Sequence, residues 1–275
     1  MEYVAIKDAR VPALGLGTWA LNGRACFDAV KAGLELGYRH IDTAQIYGNE
    51  DEVGNAIKAA GVNRTEIFLT TKIPAGNLRA AQVKRGVEDS LRRLDTGYVD
   101  LLLIHWPGKR EPLAETLEAF AEARRQGKTR FIGVSNFTVA LLAETIEQHR
   151  ADIICNQVEY HPYLSQRPVI AALEKYGLML TAYSPLARGR VAQDKDLVAI
   201  GRRHGKSAGQ VVLRWLLDQK NVAAIPKSAR REHQAANLDV FDFQLSPEER
   251  AAINAKRATT RLVDPAGWGP AWDGP

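Results

Sequence analysis

Four titratable side chains of different types stand at the ends of successive apolar runs of this sequence, or just after them. Asp42 ends one run and Tyr47 follows it, Lys72 ends the next run, and His105 ends the one after that. Each has an ordinary structural role, such as a helix N-cap for Asp42 or a core position for His105. Together, an acid, a phenol, an ammonium and an imidazole can hold and transfer protons, so we interpret the four as one proton-transfer site.

The elements that must position these groups follow from the pattern of the chain. Short β-branched or Leu-rich runs alternate with longer segments of helical period, which is typical of βα units around a parallel sheet. Strands are predicted at 14–17, 39–42, 67–72, 99–105, 131–135, 153–157, 179–183 and 222–226. Helices are predicted at 25–36, 50–60, 80–94, 113–126, 139–148, 207–218, 230–237 and 247–256.

Eight βα units favour a closed (β/α)8 TIM barrel formed as a single domain over residues 1–275. Residues 3–10 alternate in polarity and precede Val11 and Pro12, which indicates an N-terminal β-hairpin below the barrel. In such barrels the active site lies where strands end and βα loops begin. The four titratable residues fall in that layer.

Composition sets limits on the class of protein. The chain has 275 residues, of which 45% are hydrophobic and 25% charged, a balance typical of soluble globular proteins. No secretory signal or membrane-length apolar run is found, so we expect a cytoplasmic protein. Cys26 and Cys155 have no metal-ligand spacing, and we interpret both as buried packing residues. The net charge is +5, and the basic residues are interspersed with acidic ones instead of forming a block. This pattern favours a small anionic ligand over nucleic acid.

The motifs around these residues resemble the aldo-keto reductase family over nearly the whole chain. They are GLGTW at 15–19, YRHIDTAQIYGNE at 38–50, TK at 71–72, LIHWP at 103–107, GVSNF at 133–137, NQ at 156–157 and IPKS at 225–228. The closing RLVDP at 261–265 and the Trp-containing tail most resemble the bacterial diketogluconate and methylglyoxal reductase branch.

The resemblance implies that NADPH delivers a hydride to a carbonyl carbon while Tyr47 protonates the oxygen. A free phenol has a pKa of about 10, so the Lys72 ammonium is expected to stabilise the phenolate, with Asp42 holding Lys72 charged. His105 is expected to orient the carbonyl as a neutral imidazole. The resemblance also favours a monomer acting on small carbonyl compounds, with no nucleic acid, membrane or metal partner.

The family pattern also implies which residues would bind the cofactor and the substrate. Residues matching cofactor-binding positions are Gly17, Thr18, Trp19, Asp42, Ser135, Asn136, Gln157, Tyr183, Ser184, Pro185, Leu186, Arg188, Lys227, Ser228, Arg230, His233 and Asn237. The expected substrate pocket is formed by Trp19, Tyr47, His105, Trp106 and Trp268. For the Trp268 position, pocket and packing roles stay equally open.

One departure from the family pattern concerns the cofactor. The family usually has Arg five residues after the phosphate-binding Ser228, where this chain has His233, and Ala236 replaces a Glu. Imidazole offers no permanent bidentate charge, so use of NADH is a second hypothesis, although Arg230 and Arg231 could compensate.

Three other interpretations fit the residues less well. The GxGxxA pattern at 15–20 superficially matches a dinucleotide fingerprint, but it leads into a loop instead of a helix. A metal-dependent barrel isomerase or hydrolase would need more clustered ligands than Asp42 and His105. A cofactor-binding regulatory protein with negligible turnover would leave the complete set of four groups unexplained.

Overall fold

The protein is described by a computed structural model covering residues 2–108, 112–256, 260–265 and 269–274. Two N-terminal strands come first, β1 (Tyr3–Ile6) and β2 (Ala9–Pro12). The barrel strands follow as β3 (Leu16–Gly17), β4 (His40–Asp42), β5 (Phe68–Ile73), β6 (Val99–Ile104), β7 (Thr129–Ser135), β8 (Ile153–Glu159), β9 (Met179–Tyr183) and β10 (Val222–Ala224).

The eight barrel strands are parallel and lie in sequence order from β3 to β10. The first and last meet through backbone contacts: the Gly15 N–H donates to Ala224 O at 2.8 Å, and the Ala224 N–H donates to Ala13 O at 2.8 Å. A parallel bridge between Leu14 and Ala224 completes the closure. Closure removes both sheet edges, and the predicted (β/α)8 barrel is confirmed.

The N-terminal strands pair antiparallel with Tyr3 opposite Pro12, which confirms the predicted hairpin. The Lys7 ammonium donates to Ile153 O at 2.8 Å, and Pro12 O contacts His40 Nδ1 at 3.1 Å. Ile153 and His40 are the first residues of β8 and β4. The hairpin therefore lies at the amino ends of the strands, opposite the face where βα loops begin.

Helices surround the barrel at α1 (Gly23–Leu36), α2 (Glu50–Ala59), α3 (Ala80–Arg93), α4 (Leu113–Arg125), α5 (Val139–Ala143), α6 (Arg167–Tyr176), α7 (Lys195–Arg203), α8 (Ala208–Leu217), α9 (Arg231–Leu238) and α10 (Pro247–Asn254). The helix predicted over 139–148 is present, with α5 over Val139–Ala143 continuing as a π-helix over Glu144–Gln148. Helices α6 and α7 were not predicted from the sequence. Both carried start signals, since Pro168 opens α6 and the Asp194 carboxylate accepts the Leu197 N–H at 3.2 Å.

The barrel strands are buried almost throughout, and all six residues of β6 are inaccessible to solvent. Such strands are covered by side chains inside and helices outside, which explains their continuous apolar runs. Both cysteines lie in this core, and burial raises the pKa of the Cys26 thiol to about 12. Within the described residues, no helix is both long and apolar enough to cross a membrane.

Candidate active site

The four titratable residues meet at the carboxyl end of the barrel. Asp42 is the last residue of β4, Lys72 is the last but one of β5, and His105 directly follows β6. Tyr47 closes a single 3-10 turn, Gln45–Tyr47, in the loop after β4. Because parallel strands end at the same edge, four positions spread over 64 residues of sequence are brought into one site.

Lys72 is the centre of this group. Its ammonium donates to Asp42 Oδ1 at 2.6 Å, to Thr43 O at 2.7 Å and to Tyr47 Oη at 3.4 Å. The Lys72 side chain is completely buried. Its three N–H donors are thus directed at one carboxylate, one carbonyl and one phenol.

Asp42 is held from both sides. Its Oδ2 accepts a hydrogen bond from Gln157 Nε2 at 2.7 Å, and its backbone oxygen accepts from Thr18 Oγ1 at 3.0 Å. Burial lowers the pKa of Lys72, and the Asp42 carboxylate opposes that shift. Asp42 therefore favours the charged form of Lys72 in a place where solvent cannot.

Tyr47 and His105 face each other edge to face, with ring centroids 5.6 Å apart. Burial, assisted by the charge of Asp42, raises the pKa of Tyr47 well above its ordinary value. Burial, assisted by the charge of Lys72, lowers the pKa of His105 well below its ordinary value. At neutral pH the site therefore holds a protonated phenol and a neutral imidazole. The direction for Tyr47 is opposite to the lowering that was expected from Lys72, because burial dominates.

The turn that carries Tyr47 is fixed by residues that the sequence analysis did not single out. The Gln45 amide donates to Gly86 O at 2.6 Å and to Ser90 Oγ at 2.9 Å, both on α3. A Cβ on Gly86 would lie 3.0 Å from Gln45 Nε2, so the glycine makes room for this contact. Sequence contains no signal for the pairing of Gln45 with α3, since the contact spans 41 residues.

A polar wall stands beside the four groups. The Asn136 amide donates to His105 O at 3.0 Å, and Asn136 Oδ1 accepts from Tyr183 Oη at 2.8 Å. Ser135 Oγ donates to Gln157 O at 2.8 Å. Asn136 adopts a positive φ of 64°, a conformation that Asn tolerates better than most residues. The Asn136 and Gln157 amides both retain oxygen lone pairs that could accept from a bound carboxamide.

These residues enclose a cavity of about 250 Å³. Predicted site residues that line it are Gly17, Thr18, Trp19, Asp42, Tyr47, His105, Trp106, Ser135, Asn136, Gln157, Tyr183, Ser184, Arg188 and Lys227. Four further residues line it that were not predicted as site residues, Ile46, Ile225, Val263 and Pro265. All four lie inside the family motifs, but their aliphatic side chains carry no chemical signal of a site. Lys72 lies behind the lining.

The aromatic rim has one exposed and one buried wall. Trp19 is 51% exposed, and the Arg188 guanidinium lies 5.2 Å from the centre of its ring. Trp106 is buried and packs edge to face against Trp272 with centroids 6.1 Å apart. The predicted pocket residue Trp268 lies outside the described residues.

A group of basic and polar residues adjoins the cavity at the start of α9. Ser228 Oγ accepts from the Arg230 N–H at 3.1 Å, and Lys227 is exposed at the cavity. Arg230 and His233 are exposed neighbours whose side chains touch. Arg231 pairs with Glu35 at 2.9 Å, so that charge is already engaged.

The remaining predicted cofactor positions do not line the cavity. Asn237 is buried on α9, Pro185 is buried, and Leu186 is half-buried in the loop after β9. Three non-glycine residues of this loop, Ser184, Ala187 and Arg188, adopt a positive φ. It closes one side of the cavity through Ser184 and Arg188.

The chain is similar to known proteins over nearly its whole length. The model of the Aldo/keto reductase family matches residues 13–258. The methylglyoxal reductase DkgB of Salmonella typhi is 43% identical over 266 residues, covering 96% of this chain and 99% of that protein. A solved structure of a candidate 2,5-diketo-D-gluconic acid reductase B has a TM-score of 0.97 and 45% identity, covering 100% of this chain and 98% of that one. A Bombyx mori aldo-keto reductase in complex with NADP has a TM-score of 0.89 and 34% identity, covering 95% and 94%.

Proposed function

The chain belongs to the aldo/keto reductase family, and from that premise we propose that it reduces aldehydes and ketones to alcohols with a nicotinamide cofactor. The observation that carries the proposal is the placement of the Lys72 ammonium. It lies between Asp42 Oδ1 at 2.6 Å and Tyr47 Oη at 3.4 Å, at the edge of a cavity that also contains His105. This arrangement can supply a proton to a carbonyl oxygen as the carbonyl carbon is reduced.

Tyr47 is the proton donor in this proposal. The phenol is protonated before reaction, as a general acid must be, because its ordinary pKa already lies above neutral pH and burial raises it further. Loss of that proton would leave a phenolate 3.4 Å from the Lys72 ammonium, where opposite charge stabilises it. Lys72 thus acts on the product of proton transfer, and Asp42 keeps Lys72 charged for that step.

His105 orients the carbonyl group. The neutral imidazole carries one N–H, and its lowered pKa prevents a second charge from forming beside Lys72. Tyr47 and His105 line one region of the cavity together, with their ring centroids 5.6 Å apart. An oxygen placed there would accept from both.

The polar wall fits a nicotinamide carboxamide, and when bound the cofactor supplies the hydride that reduces the carbonyl carbon. Ser135, Asn136 and Gln157 offer the hydroxyl and amide groups, and Tyr183 offers a ring face at the cavity. Lys227, Ser228 and Arg230 would hold a phosphate, which supports NADPH. His233 in place of Arg supports additional use of NADH.

The substrates that we propose are small carbonyl compounds such as methylglyoxal or diketogluconate, after the activities named for the similar proteins. A cavity of about 250 Å³ with a buried Trp106 wall suits a small molecule. Its aliphatic residues, Val263 and Pro265 among them, would exclude water from the reacting carbon.

The test is the loss of nicotinamide absorbance with purified protein, NADPH or NADH, and methylglyoxal, diketogluconate or a nitrobenzaldehyde. We expect oxidation that requires both carbonyl and cofactor and that withstands a metal chelator. No oxidation with any carbonyl, together with tight NADPH binding, would replace this proposal with a cofactor-binding regulatory role. A kcat/KM ratio near one for the two cofactors would reject a preference for NADPH.

A further inference from the structure

A buried carboxylate outside the proton-transfer site contacts the C-terminal segment. Glu159 is the last residue of β8, and its side chain is 0% exposed. Its Oε1 accepts the Leu262 N–H at 2.8 Å, and its Oε2 accepts the Val263 N–H at 2.9 Å. One side chain of the barrel therefore binds two consecutive backbone amides of residues 260–265, which we call the tail segment.

His161 completes the environment of this carboxylate. The Tyr163 N–H donates to His161 Nδ1 at 3.2 Å, so Nδ1 acts as an acceptor. The proton of a neutral imidazole then lies on Nε2, which is 2.9 Å from Glu159 Oε1. Glu159 accordingly accepts three N–H groups, a donor set that suits an ionised carboxylate.

The buried Glu159 carboxylate and the tail segment stabilise each other through these hydrogen bonds. A buried carboxylate is costly unless N–H donors surround it. If the tail segment withdrew, Glu159 would lose two of its three donors and keep only His161. The buried Glu159 carboxylate therefore stabilises the tail segment in its position against the barrel.

This contact fixes one wall of the cavity. Val263, whose N–H Glu159 accepts, lines the cavity together with Pro265. The Thr260 N–H adds a contact to Tyr163 O at 3.2 Å, but it involves two neutral groups. Glu159 is the fully buried charge among the described contacts of the tail segment.

We propose that Glu159 is a positioning residue that holds the tail segment against the cavity and thereby strengthens the binding of carbonyl substrates. The kinetic part rests on the proposed reductase function. Glu159 contacts the tail backbone and His161, not the four groups of the proton-transfer site, so its effect is on substrate binding and not on proton transfer.

The first test needs no activity. Glu159→Gln replaces one acceptor oxygen with an NH2 group, which cannot accept the second tail amide. We expect hydrogen exchange in the peptide spanning the tail segment to accelerate at least about tenfold, as a lost charged hydrogen bond implies. Glu174→Gln makes the same change at an exposed position of α6 and should leave exchange unchanged. Equal exchange rates in wild type and Glu159→Gln would show that Glu159 does not hold the tail segment.

The second test is kinetic. For methylglyoxal and a nitrobenzaldehyde, Glu159→Gln should raise KM about tenfold and change kcat less than about threefold, because binding is affected and proton transfer is not. The Kd for NADPH should stay within about twofold. A large fall in kcat with KM unchanged would contradict a positioning role. A wild-type protein without turnover would refute the proposed function. The exchange experiment would still show whether Glu159 holds the tail segment.

A second variant guards against misfolding of the first. Leu262→Pro removes the N–H that binds Glu159 Oε1, whereas Leu262→Ala keeps it and shortens the same side chain. Leu262→Pro should reproduce the faster exchange and higher KM, and Leu262→Ala should do so much less. Equal effects of the two variants would show that side-chain packing, and not the amide contact, holds the tail segment.

Discussion

The ammonium of Lys72 and the carboxylate of Asp42 lie 2.6 Å apart beneath the cavity, with side chains 0% and 2% exposed. Burial lowers the pKa of Lys72, and Asp42 makes the largest contribution that opposes the shift. Gln157 occupies the other Asp42 oxygen at 2.7 Å. Asp42 on β4 therefore contacts Lys72 on β5 and Gln157 on β8, which links the three strands near their carboxyl ends.

Replacing Asp42 should affect both pH dependence and stability. In Asp42→Asn, the pKa of Lys72 should fall further, so the ammonium is lost at a lower pH. The alkaline limit of kcat/KM should then move toward lower pH. The free energy of unfolding should decrease by about 3 kcal/mol, because a buried charge loses its partner.

Asp28→Asn is the matched control for stability. Asp28 pairs with Arg24 at 2.8 Å, but the two side chains are 52% and 81% exposed. Solvent screens an exposed pair of this kind, so its loss should reduce the free energy of unfolding far less than the loss of the Asp42 contact. Chemical denaturation of both variants at pH 7 checks the comparison, and equal losses would show that burial does not set the strength of the Asp42 contact.

Removing the Tyr47 hydroxyl should abolish proton donation. In Tyr47→Phe we expect kcat to fall on the order of a thousandfold, the contribution typical of a positioned general acid. Cofactor binding, followed by fluorescence titration, should be unchanged. Tyr176→Phe deletes the same atom from a half-buried residue of α6 that contacts Glu147 away from the cavity, and it should keep full activity. Unchanged turnover in Tyr47→Phe would show that Tyr47 is not the general acid.

Much of the barrel could be predicted from the sequence because of where its strands lie. A strand buried on both faces is mostly apolar, as in β6, where Asp100 is the one polar residue among six buried positions, and a polar group at the end of such a run stands out. That contrast located Lys72 and His105 at the strand ends. The bounds still differed by one to two residues at most strands, because hydrogen bonding decides where a strand ends.

The rest of the site depends on contacts between distant segments and on burial. Glu159 meets Leu262 across 103 residues, and no local pattern marks such a pair. Val263 lines the cavity as an ordinary aliphatic residue, which sequence chemistry does not distinguish from core. The direction of the Tyr47 pKa shift was wrong because the sequence showed the Lys72 charge but not the extent of burial.

Two buried histidines should make the protein sensitive to mild acid. Burial lowers the pKa of both His40 and His105, so they stay neutral in the folded protein while the unfolded chain takes up protons below about pH 6.5. Stability is then present above that pH and is lost as pH falls. Each group can contribute up to about 1.4 kcal/mol per pH unit.

The measurement is the free energy of unfolding at pH 7.5, 6.5 and 5.5, compared with His40→Gln. This variant removes one buried imidazole and should therefore show a shallower decrease between pH 6.5 and 5.5 than the wild type. The comparison cancels the other groups that titrate in this range. Parallel curves for the two proteins would mean that His40 takes up protons equally in the folded and unfolded states.

The cofactor preference should depend on the residue at position 233. His233 and Arg230 are exposed neighbours at the start of α9, beside Ser228. Arg at 233 would add a permanent charge with a planar set of donors that matches a phosphate. In His233→Arg we expect the ratio of kcat/KM for NADPH over NADH to rise about tenfold, mainly through a lower KM for NADPH. Gln148→Arg adds the same charge at an exposed position outside the cavity lining and should leave the ratio unchanged. An equal rise in both variants would attribute the preference to net charge, and no rise in either would place the cofactor phosphate away from α9.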